Sequence, residues 1–504
     1  MLSPILQRRI SLDVDNSTMT IETKSILKPM STTRLIAHNT GIQLIGKVIS
    51  TGLGLVAIGM MTRHLGQEQF GWYVTTIAFL QFIAILVDFG LVPVTAQMMG
   101  ERKIEEKKLL QNLLGYRFVT AIIFLGLAPF IALFFPYPIE VKIAISFTTI
   151  NMLAVAMNQI FMGYYQAKLK MHLQAIGEVL GRIALVGGLA LMIWLEKGFI
   201  PVMIVLTISS IVYTAAMWYT AIKESTPTFR FDMAVWKAIT VKMWPIAISI
   251  IFNVMYLKGD TIILSLYRDQ ATVGMYGAAY RVIDILAQVA MMIMGLMLPL
   301  LAFEWTRNKE TFKHFYQQSF DMMMLFSVPL VVGGAILATP IMTLVAGSEF
   351  ASAGPILAVL LLGIFALYVG AIFGHIAVAI EKQKQTMWIY MSNAVITVIG
   401  YFYFIPKYGM WGAAGMTLFS EFYAGLMLFL TIRHYLKMHL EVKTFAKIVF
   451  SALVMGAVVF MFSHLNVLLL IVIGSVVYGS FLYGLGAISK ETVREIVRIN
   501  KSVE

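Results

Sequence analysis

Apolar residues in this chain do not recur with the period of an amphipathic helix or strand. They run on. Fourteen stretches are each long enough, at about 20 residues, to cross a hydrocarbon layer as a helix: 36–61, 71–98, 109–134, 139–164, 174–195, 199–222, 243–266, 271–303, 315–339, 353–380, 385–405, 409–436, 444–463 and 465–488. In lipid a backbone must satisfy its own hydrogen bonds, so runs of this length predict α-helices. The last two are the least distinct, parted only around Ser463, His464 and Asn466. The pattern predicts an all-α integral membrane protein with about 14 transmembrane helices.

The polar connectors carry a repeat. Residues 62–74 read TRHLGQEQFGWYV and residues 267–276 read YRDQATVGMY. Gly71 and Tyr73 recur as Gly274 and Tyr276 at one offset, and each following run holds a proline toward its far end, Pro93 and Pro299. The longest linker, 223–242, lies between the sixth and seventh runs, and its DMAVWKAITVK part suits a short amphipathic helix at the inner surface. The expected division is a tail (1–35), a six-helix bundle (36–222), a linker (223–242), a second six-helix bundle (243–436), two extra helices (437–488) and a tail (489–504). Halves with an even helix count share one orientation, the parallel-repeat arrangement of many transporters. Chance recurrence of Gly-x-Tyr after a helix is the competing explanation.

Composition agrees. Of 504 residues, 59% are hydrophobic and 13% charged, against about 25% charged in an average soluble domain; mean hydropathy is +0.82. There is no cysteine, which excludes disulfides, thiolate catalysis and Cys-based metal sites. The net charge of +12 is read as basic residues retained at the cytoplasmic face, not as affinity for nucleic acid. With both termini cytoplasmic, 28 of the 38 Lys and Arg fall on that side and six on the other: Arg63, Lys142, Lys197, Lys258, Arg268 and Lys407. An odd number of spans breaks this bias. The first 30 or so residues are read as a cytoplasmic extension or as sequence ahead of a start at Met19 or Met30, and no function is assigned to them.

The remaining four cations lie inside spans: Lys47, Arg117, Arg182 and Arg281. Four acids join them, Asp88, Glu178, Asp284 and Glu421. Ionised groups at membrane depth are costly and face a cavity or a partner. Glu178 and Arg182 stand at i,i+4 and Arg281 and Asp284 at i,i+3, where they pair on one helix face. Lys47 is 11 residues into its span, about 16 Å along the helix, so reaching the surface strains it; an interhelical pair with Asp88 is the bland alternative. Arg117, about nine residues in, is able to snorkel.

The stretch 39–91 resembles the opening of Wzx-type bacterial polysaccharide flippases: Asn39, a loop with Leu65, Gly66, Phe70, Gly71 and Tyr73, and then Asp88-Phe89-Gly90-Leu91. DTIILSLYRDQATVGMYGAAYRV (260–282) and AGSEFASAGPIL (346–357) fit as well. The resemblance covers most of residues 36–436. It implies the multidrug/oligosaccharidyl-lipid/polysaccharide exporter superfamily and a MATE-like fold of two pseudo-symmetric bundles. Many members of the polysaccharide branch have twelve spans; fourteen occur in branches handling peptidoglycan precursors or sporulation polysaccharides, which leaves the substrate open. The implied activity is translocation of undecaprenyl-pyrophosphate-linked oligosaccharide across the bacterial plasma membrane by alternating access, for O-antigen, capsule or exopolysaccharide. Membrane lipid and polysaccharide polymerase or assembly proteins are the implied partners.

For such a ligand Lys47, Arg117, Arg182 and Arg281 are the candidates to hold pyrophosphate or glycan, since Arg offers a planar fork to phosphate and Lys a mobile point charge. Asp88, Glu421, Glu178 and Asp284 are the candidates for coupling to H⁺ or Na⁺. No catalytic residue, metal or cofactor is expected: the sequence has no Walker loop, no HExxH and no GxSxG in a fitting context. A multidrug or small-molecule cation antiporter of the same fold is the nearest rival, with a membrane glycosyltransferase or polymerase behind it. Trp72, Trp194, Trp218, Trp244, Trp305 and Trp411 are read first as interfacial anchors, and Asn151, Asn158, Gln159, Tyr164 and Tyr165 as glycan contacts or helix–helix contacts.

Overall fold

A computed structural model describes the backbone of residues 32–487 except 89, 90, 102, 169 and 224, and side chains over that range except at 32–41, 44, 88, 93, 96, 245–250 and 253. Residues 1–31 of the expected N-terminal tail and the expected C-terminal tail lie outside the described residues, and α1 begins within the stretch expected as tail. The described chain is helical from end to end, in the order α1 (Thr32–Asp88), α2 (Leu91–Glu101), α3 (Glu106–Leu133), α4 (Ile139–Ala167), α5 (Met171–Trp194), α6 (Phe199–Ile222), α7 (Met233–Tyr267), α8 (Gln270–Arg307), α9 (Lys309–Ile336), α10 (Ala338–Ala346), a 3-10 helix (Ser348–Ala353), α11 (Gly354–Ala379), α12 (Gln383–Tyr408), α13 (Met410–Leu436), α14 (Lys443–Met461) and α15 (Val467–Gly484).

Among the described residues twelve helices are long and apolar enough to span a membrane. Two features separate that number from the expected fourteen. The first candidate, Ile45–Val87, has 43 residues and doubles back. Gly66 interrupts α1 at φ 67° and ψ −176°, a conformation open to glycine and costly for any other residue. On a straight helix Lys47 and Tyr73 would stand about 39 Å apart; both line one cavity. The second feature is α7, 35 residues long, which is not among the twelve.

The linker differs from expectation. DMAVWKAITVK is not a separate surface helix but the first three turns of α7. Asp232 caps it, accepting from the amides of Ala234 (3.0 Å) and Val235 (3.5 Å). Val235, Ile239 and Met243 are buried in a cluster with Leu110, Leu114, Tyr164 and Met217. The residues ahead of α7 are strapped to α3: the Arg230 amide donates to the Gln111 carbonyl (3.1 Å), the Asp232 amide to Asn112 Oδ1 (2.8 Å), and Lys108 pairs with Asp232 (2.7 Å). An amphipathic face that finds apolar neighbours inside the protein has no need of the bilayer surface. The later part of α7 joins the second half of the chain, where Tyr401 donates to the Tyr256 carbonyl (2.7 Å).

The repeated connectors meet. A Cβ on Gly71 would lie 1.7 Å from the Gln270 carbonyl oxygen, and one on Gly274 would lie 2.2 Å from that of Gln67. Thr75 donates to Gln270 Oε1 (2.6 Å), and Phe70 packs edge-on against Phe350. Arg63 donates to the carbonyls of Thr343, Leu344 and Val345, the last turn of α10, and Gln67 donates to that of Glu349. The stretches around 62–75, 267–276 and 346–357 thus form one seal joining the two halves.

Candidate functional site

Beneath the seal lies a polar cavity of about 330 Å³ between α1, α5 and α8. Lys47, Arg182 and Arg281 all line it, as do Glu178 and Asp284. Three of the four intramembrane cations named from sequence therefore share one wall system. Lys47 comes from the first limb of α1, Arg182 from the middle of α5 and Arg281 from three turns into α8.

The pairing inside this cavity is only partly the one expected. Arg281 and Asp284 do pair, at 3.4 Å. Glu178 does not pair with Arg182. It takes Lys47 at 3.2 Å and accepts from Ser50 Oγ at 2.7 Å. Facing helices bring Lys47 close to Glu178, a placement that same-helix spacing does not report. Arg182 consequently forms no ion pair or hydrogen bond among the described residues; its guanidinium carbon stands 3.8 Å from where a Cβ on Gly54 would be. Lys258, assigned from sequence to the outer face, lies within α7 and pairs with Asp284 at 3.0 Å. Counting these groups, the site has four cations and two carboxylates. Their side chains are a sixth to a third exposed, enough for a ligand to reach them.

Tyr73, noticed in the sequence only as part of a repeated phrase, is a cavity residue. Its hydroxyl accepts from Arg281 at 3.4 Å and its ring lies 5.7 Å below the guanidinium. Its repeat partner Tyr276 instead donates to Asp260 at 2.6 Å. Asp260 is fully buried and also accepts from the Thr261 amide (2.6 Å) and Thr417 Oγ1 (3.2 Å). Sequence reading missed it, although the run 243–266 already contained it.

Arg117 stands apart. It is fully buried, donates to the Val87 carbonyl and to Gln159 Oε1, and does not snorkel. It lines a second, mostly apolar cavity of about 350 Å³ whose polar members are Gln81, Gln159 and Lys258. Lys258 thus stands in the wall of that cavity and on an acid of the first. Glu421 occupies a third, of about 310 Å³, inside the second half with His375, Tyr390 and Tyr256; it has no hydrogen-bond or ion-pair partner among the described residues. The side chain of Asp88 lies outside them, and with it the alternative Lys47–Asp88 pair; the described partner of Lys47 is Glu178. No cluster of three or more potential metal-binding side chains occurs among the described residues. On the opposite flank of α8 an apolar cavity of about 530 Å³, walled by α8, α9, α14 and α15, presents Leu286, Phe326, Leu330, Met455 and Leu470.

The arrangement is a cationic cavity between α1, α5 and α8, beside an apolar one. The chain is 24% identical over 471 residues to the probable low-salt glycan biosynthesis flippase Agl15 of Haloferax volcanii, across 90% of this chain and 95% of that one. In fold it is similar to the lipid II flippase MurJ in an inward closed conformation, with a TM-score of 0.75 at 17% identity over 90% of this chain and 99% of that one. It is also similar to the inward-facing conformation of a multidrug resistance MATE family transporter of the MOP superfamily, with a TM-score of 0.56 at 14% identity over 81% and 96%. The fold is therefore MATE-like, and its neighbours are carriers, not enzymes. A family model described as polysaccharide biosynthesis protein matches residues 36–303, more than half of the sequence: this multi-pass membrane chain belongs to that family.

Proposed function

We propose that the chain is a flippase that moves a polyprenyl-pyrophosphate-linked oligosaccharide from the inner to the outer leaflet, for assembly of a surface glycan. The observation that carries this reading is the convergence of Lys47, Arg182 and Arg281 on one cavity at the junction of the halves. A pyrophosphate crosses hydrocarbon only where cations replace its lost hydration. The relatives' names, a glycan biosynthesis flippase and a lipid II flippase, supply the substrate class. In a bacterium the carrier would be undecaprenyl pyrophosphate and the membrane the plasma membrane, with both termini cytoplasmic.

Transport runs by alternating access. The connector seal closes the outer side, and the cavity receives the headgroup from the inner side. The apolar cavity on the far flank of α8 gives a hydrocarbon chain a place beside the bundle. Glu421, buried and without a described partner, is the acid best suited to couple the cycle to H⁺ or Na⁺.

The test is leaflet transfer in proteoliposomes. Polyprenyl-pyrophosphate-linked oligosaccharide should move with wild type and move poorly with Lys47→Ala and Arg281→Ala. Exchange of small cationic drugs for H⁺ or Na⁺, with no movement of the lipid-linked glycan, would identify a multidrug antiporter instead.

A further inference from the structure

Two of the cavity's cations are already neutralised from within. Lys47 faces Glu178 at 3.2 Å, and Arg281 faces Asp284 at 3.4 Å. Arg182 pairs with no carboxylate among the described residues. A headgroup that uses all three cations must displace both acids, whereas one that uses Arg182 alone need displace neither. We propose that Glu178 and Asp284 are specificity-determining residues that reject lipids with one phosphate charge in favour of lipids with two.

The geometry gives each acid a place to stay when its cation is drawn away. Ser50 Oγ donates to the Glu178 carboxylate at 2.7 Å, so that oxygen keeps a donor without Lys47. Asp284 lies closer to Lys258 (3.0 Å) than to Arg281 (3.4 Å), so Lys258 is its holding partner and Arg281 the one that exchanges. Arg281 in turn is steadied by the ring and hydroxyl of Tyr73. Each acid therefore keeps a hydrogen-bond donor when its exchanging cation is drawn away, Glu178 the Ser50 hydroxyl and Asp284 the Lys258 ammonium, which lowers the cost of breaking the pair.

The problem solved is one of numbers. Bulk phospholipids with a single phosphodiester outnumber any pyrophosphate-linked lipid in a membrane, and a bare set of cations would fill with them. A monoanion gains Arg182 but lacks the charge to outbid two fixed carboxylates. A pyrophosphate diester, with two charges on adjacent phosphates, competes for Lys47 and Arg281 as well. Discrimination here comes from a repulsive element placed against the wrong ligand. The same acids halve the charge of the unloaded site, two carboxylates standing against four cations, which eases the return step of a carrier.

This inference rests on the flippase reading, and its test separates the two. Binding of a short-chain polyprenyl pyrophosphate and of phosphatidylglycerol is measured in micelles for wild type, Glu178→Gln and Asp284→Asn, with thermal midpoints checking the fold. Both variants should bind both lipids more tightly, phosphatidylglycerol most. The preference for pyrophosphate should fall about threefold to tenfold, the size of one partly exposed ion pair. Wild-type preference that survives both substitutions, or weaker pyrophosphate binding in a folded variant, overturns the assignment and leaves the flippase reading standing. Wild type that binds neither lipid overturns both. The two substitutions lie on different helices, so either variant alone decides if the other fails to fold.

Discussion

Gly71 and Gly274 are packed reciprocally, each with the backbone of the other's connector lying where its own side chain would be. The Gln270 carbonyl sits 1.7 Å from the Cβ position of Gly71, and the Gln67 carbonyl 2.2 Å from that of Gly274. The two copies of the repeated phrase thus pack against each other. Gly71→Ala or Gly274→Ala should force the connectors apart at about 1–3 kcal/mol, as overpacking does elsewhere. Gly126→Ala, with nothing within 4 Å of its Cβ position, is the control and should be neutral or slightly stabilising. Thermal midpoints in detergent report the difference; an unchanged midpoint for both connector variants would contradict the close approach.

Arg63 holds the far side of the same seal. Its guanidinium donates to the last carbonyls of α10, where a cation also meets the negative end of the helix dipole. Arg63→Ala should weaken closure by about 1 kcal/mol, roughly fivefold in the closed fraction. Because the chain has no cysteine, a Gln67→Cys/Glu349→Cys pair offers a clean reporter. A short bis-thiol reagent should bridge it efficiently in the parent and several-fold less after Arg63→Ala. Equal bridging would show that Arg63 is not part of the latch.

The linker end is governed by pH. The Lys108 ammonium holds the Asp232 carboxyl below its usual range, and Lys242 does the same for Glu101. A carboxyl depressed in the folded state stabilises it above the unfolded pKa, near 4, and the contribution is lost as pH falls through the folded value. Hydrogen exchange across 225–243 should therefore be slow and flat from pH 7 to 5 after correction for intrinsic rates, and should speed up below about pH 4. Lys108→Ala should show fast exchange of that segment already at pH 7.

Much of this was legible in the sequence because lipid imposes one rule. Uninterrupted apolar runs report helices directly: 109–134 was expected and Glu106–Leu133 is found, 199–222 was expected and Phe199–Ile222 is found. The turn at Gly66 sits in the connector that the polar pattern marked. Three of the four cations named inside spans, Lys47, Arg182 and Arg281, line one cavity, a grouping that the sequence reading did not make. What failed was partner choice. Spacing along one helix paired Glu178 with Arg182, but packing between helices gave it to Lys47. Lys258 was placed on the outer face and Asp260 was not counted among the acids inside spans; α7 continues past both to Tyr267 and buries Asp260 fully. The register of one helix against another is set by side-chain shape across the interface, which a single sequence does not display.

Glu421 offers a prediction about coupling that is independent of ligand binding. It is 8% exposed and faces a cavity separate from the three clustered cations. Glu421→Gln should leave binding of a polyprenyl pyrophosphate within about twofold of wild type, since it touches none of the groups involved, while removing the dependence of transport on an imposed H⁺ or Na⁺ gradient. Retained gradient dependence would move the coupling role elsewhere.

The central claim, that an anionic headgroup is carried by the cavity's cations, turns on Arg182, the one among them with no ion pair or hydrogen bond to the described residues. The most direct measurement is the initial rate of leaflet transfer of polyprenyl-pyrophosphate-linked oligosaccharide in proteoliposomes containing wild type, Arg182→Lys or Arg182→Ala. The account predicts a loss of at least about tenfold for Arg182→Ala, the scale of one charge-assisted phosphate contact, with partial recovery in Arg182→Lys. A folded Arg182→Ala protein that transfers the lipid at the wild-type rate would contradict it.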